Sequence, residues 1–345
     1  MPEPVVPPLA RAAIDRDAAR RSDPGFAAAF DADPASRVLA LHDGRVLLAM
    51  RVDGAAPAVE LRHPGEMPEA GLRAYLGSTI GSGSGDNDDG AADPVADGRQ
   101  AADAASGNGL APGTPIEVRV FDEAAARAIE PDATRWVGLR AAAPMLGDRD
   151  AGLVTEAVAL ANWHARHTHC PHCGAPTEVV QAGWSTRCTV DDSSHFPRTD
   201  PAVIVLVTDD EDRVLLGSNA LWEQNRFSVL AGFVEPGESL EAAVVREIAE
   251  EAELPVDRVD YLGSQPWPFP ASLMCAFTAR VAPGSIASAA KPDGEEILEL
   301  RWFTRDDLTA ALGSVALPGE TSIARWMLER WYGGPLSASI PWSTS

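Results

Sequence analysis

Apolar and polar positions change their spacing several times along the chain, and each change marks an expected element. Arg37-Val38-Leu39-Ala40-Leu41-His42 and the run over 44–50 flank an Asp-Gly turn and predict a β-hairpin. Residues 115–121 read as another strand, and 122–129 as the start of a helix. A longer helix is expected from about 145 to 164, with Leu153, Ala157, Leu160 and Trp163 at helical spacing. Beyond Pro201 the pattern becomes that of a compact α/β domain. Strands are expected over 202–207, 213–216, 227–231, 259–265, 273–281 and 298–303, with helices over 239–251, 305–312 and 321–332. No repeat of 20–50 residues is present.

Composition adds four constraints. The stretch over about 77–113 is rich in Gly, Ser and Asp and almost free of large apolar residues, so it is expected to be a disordered acidic insert within one domain. A net charge of −23 over 345 residues repels phosphate backbones and excludes generic nucleic-acid binding; a nucleotide ligand has to be held locally, through metal ions. The longest aliphatic run, 202–207, falls far short of the ~20 residues that span a bilayer, and the N-terminus lacks the basic and apolar regions of a secretory signal. Four cysteines, two of them in Cys-x-x-Cys, point to metal binding in a reducing cytoplasm.

The chemistry concentrates in three segments. In the helix over 239–251, Leu240, Val244 and Ile248 form an apolar face, while Glu247, Glu250 and Glu251 stand at i, i+3 and i+4 and project together from another. Like charges so spaced repel by a few tenths of a kcal/mol. A divalent cation removes that repulsion, and hard carboxylate oxygens suit Mg²⁺ or Mn²⁺. An exposed acidic face would look the same on these three residues alone. The complete spacing decides: Gly232, Glu238, Arg246, Glu247, Ile248, Glu250, Glu251 and Leu254 resemble the Nudix box of hydrolases that cleave nucleoside diphosphates linked to another group. One position departs, Glu253 standing where that pattern has a helix-ending glycine; it either lets the helix run on or strains its exit.

The second segment, Ser264-Gln-Pro-Trp-Pro-Phe-Pro-Ala-Ser272, resembles a motif of the NADH pyrophosphatase (NudC-like) subfamily. Its prolines alternate with Trp267 and Phe269, a stiff loop with aromatic faces fit to wall a planar ring. The resemblance implies substrate contacts from Gln265, Trp267, Phe269 and Ser272, ring stacking by Phe233, a second stacking ring from Phe196 across a homodimer, and a closing contact near Ala324. It also implies that Glu296 adds a metal ligand to Glu247, Glu250 and Glu251.

The third segment runs from His169-Cys170-Pro-His-Cys173 through Cys188, Asp191 and His195, the spacing of a zinc ribbon. The resemblance implies a cysteine at position 191, where this chain has aspartate. Either Asp191 ligates Zn²⁺ through oxygen, His195 takes its place, or the site is weakened. His195 is preferred, imidazole being the commoner companion of thiolates. His169 and His172 read as solvated bystanders, and Cys275 as a buried inert thiol.

Together these resemblances imply an α/β (α+β) chain built on a Nudix fold, a mixed sheet between helices, preceded by a zinc ribbon and a degenerate N-terminal domain. The expected boundaries are 1–165, 166–199 and 200–338. The implied reaction is metal-dependent hydrolysis of NAD(H) to nicotinamide mononucleotide and AMP, extending to NAD caps on RNA 5′ ends. Glu251 is the expected proton acceptor, Arg246 pairs with a neighbouring carboxylate, and Glu238 orients the loop or a nearby water. The alternatives are a Nudix hydrolase of another substrate, such as ADP-ribose, and a nucleotide-sensing regulator that does not hydrolyse.

Overall fold

The computed structural model describes residues 6–50, 57–80 and 110–336. Most of the expected acidic insert, 81–109, therefore lies outside the described residues. Its two ends do not: Gly77, Ser78 and Thr79 continue a strand, and the Thr79 N–H and Oγ1 bond to Thr114 and Ala111 carbonyls.

Two compact units emerge. The first comprises 11–198 with Pro268–Ala271, the second 6–10, 199–267 and 272–336. The first unit holds β1 (Ile14–Asp15), β2 (Arg37–His42), β3 (Arg45–Leu47), β4 (Leu61–Arg62), β5 (Leu72–Thr79), β6 (Pro115–Val120) and β7 (Trp136–Gly138). They form one seven-stranded sheet in the order β1-β5-β6-β2-β3-β7, with β4 also on β2 and the β2–β6 pair parallel. The expected hairpin is β2–β3. Its two-residue turn has both Asp43 and Gly44 at positive φ (47° and 68°), the geometry that matches strand twist. The helices are α1 (Phe26–Ala32), α2 (Glu123–Ile129), α3 (Leu139–Ala142) and α4 (Asp148–Arg166). Asp122 caps α2 by accepting the Ala125 N–H. Helix α4 begins later than its pattern predicts, because Ala143–Met145 makes a separate 3-10 turn and Gly147 takes the cap position. Leu153, Ala157, Leu160 and Trp163 are buried, as their spacing requires.

The ribbon strands β8 (Thr177–Val180), β9 (Ser185–Cys188) and β10 (Ser194–His195) form a three-stranded antiparallel sheet inside the same unit. It is fastened by Trp184, whose indole N–H donates to the Tyr75 carbonyl at 2.6 Å, and by Gly183, where a Cβ would come within 2.4 Å of that of Ala74.

In the second unit β11 (Asp200–Thr208), β12 (Val214–Asn219), β13 (Leu230–Phe233), β14 (Val256–Trp267), β15 (Ser272–Val281) and β16 (Ile297–Phe303) form a mixed sheet ordered β14-β15-β11-β12-β16, with β13 on β11. Only β11–β15 is parallel. The helices are α5 (Leu240–Ala252), α6 (Arg305–Ala311) and α7 (Ile323–Tyr332). The unbroken aliphatic run of β11 is explained by cover on both faces. Val203, Val205 and Val207 pack with Val244 and Ile248 of α5, whereas Ile204 and Leu206 pack with Leu308, Met327 and Leu328 of α6 and α7. Each such side chain contributes about 1.5–3 kcal/mol of burial. Among the described residues no helix is long and apolar enough to cross a membrane.

Helix α4 also buries an acid. Glu156 is 6% exposed, with Arg16 3.1 Å away, and burial pushes its carboxyl up to about 7 against the pull of Arg16 and Arg21. A raised carboxyl means that the folded state keeps a proton that the unfolded chain has released. This contribution to stability is full below pH 4.5, the ordinary value, and is lost as pH rises through about 7. Relative to the parent, Glu156→Gln should therefore gain stability between pH 5 and 8, on the order of 3 kcal/mol by urea unfolding. A difference that does not vary with pH would rule out Glu156 as the titrating group.

Candidate metal-dependent active site

The site is built where β13 hands the chain to α5. Gly232 and Phe233 end β13, a loop turns through Gly237 at φ 92°, and Ser239 caps α5 by accepting the Ala242 N–H at 3.1 Å. Glycine at 232 is a spatial necessity, since a Cβ there would lie 2.0 Å from the Glu247 carboxyl carbon. Helix α5 then carries Glu247, Glu250 and Glu251 into a cleft of about 600 Å³, lined also by Gly232, Phe233, Ser272, Met274, Asp293, Glu295 and Glu296.

Arg246 holds this arrangement. Its guanidinium donates to both Glu238 oxygens at 2.9 Å, to the Phe233 carbonyl at 2.9 Å, to Glu247 at 2.8 Å and to Glu250 at 2.9 Å. Glu238 is held below its ordinary range by that guanidinium, and the Arg246 pKa is raised in return. Glu247 is 9% exposed, and burial raises its pKa against the opposing effect of Arg246. Glu251 is 5% exposed and is pushed up to about 8, first by burial and then by the charges of Glu247, Glu296, Asp293 and Glu250. Its Oε2 is buried and has no hydrogen-bond partner among the described residues. An orphaned carboxylate oxygen among crowded acids fits a divalent cation, whose charge would both satisfy and neutralise it.

Glu253 answers the question left by the missing glycine. The helix stops at Ala252, and Glu253 itself takes the left-handed conformation (φ 52°, ψ 30°), at a cost of about 1–2 kcal/mol for a side chain with Cβ.

Of the residues expected to touch substrate, Phe233 and Ser272 line the cleft; Phe196, Gln265, Trp267, Phe269 and Ala324 are not among its lining residues. Gln265 is fully buried, with its amide accepting from the Leu9 N–H at 3.2 Å and donating to the Thr321 carbonyl at 3.0 Å. Ala324, in the first turn of α7, belongs to the core. Trp267 ends β14 opposite Ser272. Phe269 packs in the first unit beneath the Arg140 guanidinium, 4.3 Å from the ring centre, and Phe196 is exposed there. Asp293 and Glu295 were not anticipated; their signal was the acidic run that ends in Glu296.

The ribbon gathers Cys170, Cys173, Cys188 and Asp191, whose ligand atoms all lie within 4.8 Å of one another. The Cys173 and Cys188 sulfurs are 3.4 Å apart, and Asp191 Oδ2 is 3.6 Å from Cys170 Sγ. Backbone N–H groups of Val190 and Asp191 point at Cys188 Sγ, both at 3.4 Å. Three thiols and a carboxylate at this spacing suit structural Zn²⁺. His195 is not one of these four, its Nε2 lying 3.2 Å from Ser193 Oγ, although its ring also interacts with the Cys170 thiol. The preference for His195 over Asp191 is thus not what the geometry shows. The 188–191 spacing repeats that of 170–173, and it was the better guide than ligand frequency.

Family models match along the chain: a NADH pyrophosphatase-like rudimentary NUDIX domain over 35–163, a NADH pyrophosphatase zinc ribbon domain over 165–196, and a NUDIX domain over 198–326. The NAD-capped RNA hydrolase NudC of Mycobacterium bovis is 47% identical over 205 residues, covering 56% of this chain and 64% of that protein. Its Mycobacterium tuberculosis counterpart is 46% identical over the same shares. The human NAD-capped RNA hydrolase NUDT12 is 34% identical over 200 residues, 54% of this chain and 42% of that protein. The matched segment thus spans less than two thirds of each relative.

Two substitutions test the geometry. Gly232→Ala must displace the Glu247 carboxylate and should weaken Mn²⁺ binding about tenfold in calorimetry while the protein stays folded; unchanged affinity would mean that Glu247 needs no fixed place. In the ribbon, Asp191→Cys should retain zinc against higher chelator concentrations than the parent, and Asp191→Ala against lower ones. His195→Ala should leave the zinc content, measured by atomic emission, as it was.

Proposed function

We propose that this chain, which belongs to the Nudix hydrolase family and carries the zinc ribbon and rudimentary N-terminal domain of its NADH pyrophosphatase branch, hydrolyses the diphosphate of NAD(H) to nicotinamide mononucleotide and AMP. The observation that carries this reading is the convergence of Glu247, Glu250, Glu251 and Glu296 on one cleft, with a buried, unpartnered oxygen on Glu251. The activity for which these relatives are named, hydrolysis of NAD-capped RNA, supports the same bond as target and extends it to RNA 5′ ends. With a net charge of −23, such an RNA is engaged at its cap more than along its backbone.

Glu247, Glu250, Glu251 and Glu296 would hold Mg²⁺ or Mn²⁺, which would supply charge neutralisation for the diphosphate and Lewis acidity at phosphorus. The chain's own groups do the rest. Glu251, ionised once a cation is held beside it, accepts the proton of the attacking water. Arg246 acts through others, since its N–H groups already serve Glu238, Glu247, Glu250 and Phe233. Phe233, 60% exposed at the rim, offers a ring face to nicotinamide or adenine. Exposure of Phe196 supports its use as a second ring in a homodimer. We take the division of the chain as 1–165, 166–199 and 200–338, which the matched segments support, and its setting as a reducing cytoplasm that keeps the zinc thiols available.

Chromatography of products from NADH with Mg²⁺ or Mn²⁺ tests the reading. AMP and the reduced mononucleotide should appear, with a Glu250→Gln/Glu251→Gln protein slower by a factor of about 10² or more. No cleavage by folded protein would sink it, and cleavage of ADP-ribose alone would move the substrate. Because Glu251 must ionise to ligate, the apparent Mn²⁺ affinity should rise as pH increases from 6 toward 8, with proton release seen calorimetrically.

A further inference from the structure

Of the four glutamates expected to hold the metal, three share the rigidity of α5. The fourth, Glu296, arrives on a separate segment just before β16, and its distance from the helix is set by whatever holds that segment. The loop is fastened to the end of α5 twice by one residue. The Lys291 backbone N–H donates to the Ala252 carbonyl at 3.0 Å, one of the carbonyls that a helix end leaves without a partner. Its ammonium lies 2.9 Å from Glu253 Oε1 and beside the negative end of the helix. Two residues later Asp293 folds the chain back on itself. Its Oδ1 accepts the N–H groups of Glu295 at 3.1 Å, Glu296 at 3.2 Å and Ile297 at 2.8 Å. The Glu296 carbonyl in turn accepts the Ala220 N–H at 2.8 Å. Both peptide groups of Glu296 are thereby fixed, and its side chain faces the cleft that holds the orphaned oxygen of Glu251.

We propose that Glu253, Lys291 and Asp293 are positioning residues that clasp the Glu296 loop to the end of α5 and so set the affinity of the divalent-metal site. The inference rests on the hydrolase reading for what the metal does, and on the hydrogen bonds alone for how the site is assembled. It gives the unusual residue at 253 a physical role. Glycine would reach the left-handed conformation without strain, but it has no carboxylate to meet Lys291. Folding stability and metal affinity therefore pull in opposite directions at that position. Asp293 holds the turn, since its Oδ1 accepts three N–H groups and its Oδ2 also lies 3.3 Å from the Glu296 N–H.

The test uses the full-length protein and Mn²⁺ alone, with free Mn²⁺ read by electron paramagnetic resonance and melting temperature read without metal. Glu253→Gly should melt no lower than the parent yet bind Mn²⁺ about two- to fivefold more weakly, the range of an exposed ion pair. Lys291→Met should weaken binding similarly, and the swap Glu253→Lys/Lys291→Glu should restore it. Asp293→Ala should lose about tenfold or more, and Asp293→Asn, which keeps the accepting oxygen, should stay near the parent. Parental Mn²⁺ affinity in Glu253→Gly, Lys291→Met and Asp293→Ala would overturn the clasp. Equal losses in Asp293→Asn and Asp293→Ala would make Asp293 a direct ligand and overturn its positioning role. A parent that binds no Mn²⁺ would remove the site and the clasp with it. A parent that binds Mn²⁺ but leaves NADH intact would overturn the hydrolase reading while the clasp stands or falls on the affinities.

Discussion

Several carboxylates around one cleft repel one another, and the second unit is organised around a single guanidinium that counters them. Arg246 binds the loop through Glu238 and the Phe233 carbonyl, and binds its own helix through Glu247 and Glu250. The planar fork of arginine can meet partners on both sides at once, which a lysine ammonium does less selectively. Without it, the strand-to-helix loop and the acidic face of α5 would have no common anchor. Glu251, which is not among the partners of Arg246, has its pKa raised by burial first and by the neighbouring acids second, and among the described residues it keeps an unpartnered oxygen. The fold thus neutralises most of the cluster and leaves one corner unsatisfied for a cation.

How far the sequence could be read depended on whether a relation lay inside one element or between several. The carboxylates of α5 were legible because helical geometry alone sets i, i+3 and i+4 on one face. The β2–β3 turn was legible because Asp-Gly suits two consecutive positive φ values. The two-sided burial of β11 was half legible: the apolar run declared a buried strand, but which residues meet α5 and which meet α7 follows from the pleat. The surroundings of Gln265 were not legible, since nothing local reveals that a polar residue in a motif has both ends of its amide engaged by distant backbone. Asp293 was missed for a related reason, because an Asx-type turn becomes visible only when its N–H donors are seen around it.

The first unit makes the same point with a metal site. Cys170 and Cys173 come from one knuckle and Cys188 with Asp191 from another, so their meeting depends on the small antiparallel sheet between them. That sheet is in turn fixed by Trp184 on the Tyr75 carbonyl and by the close approach that only a glycine at 183 permits. A carboxylate in the fourth position would leave the same formal charge as a thiolate but a harder, less polarizable donor, and would shift the metal preference of such a ribbon toward harder ions.

The hydrogen bond between Leu9 and Gln265 links positions 256 apart within the second unit. Such a long-range closure raises contact order and slows folding. On a ribosome adding about 5–20 residues per second, the segment around Leu9 emerges tens of seconds before its acceptor exists. During that interval an apolar strip containing Val6 and Leu9 has no docking place in its own unit. Nascent chains would thus present a chaperone-accessible patch around Leu9 until Gln265 has been made, and a bulky insertion at that segment would compete with the closure of this unit.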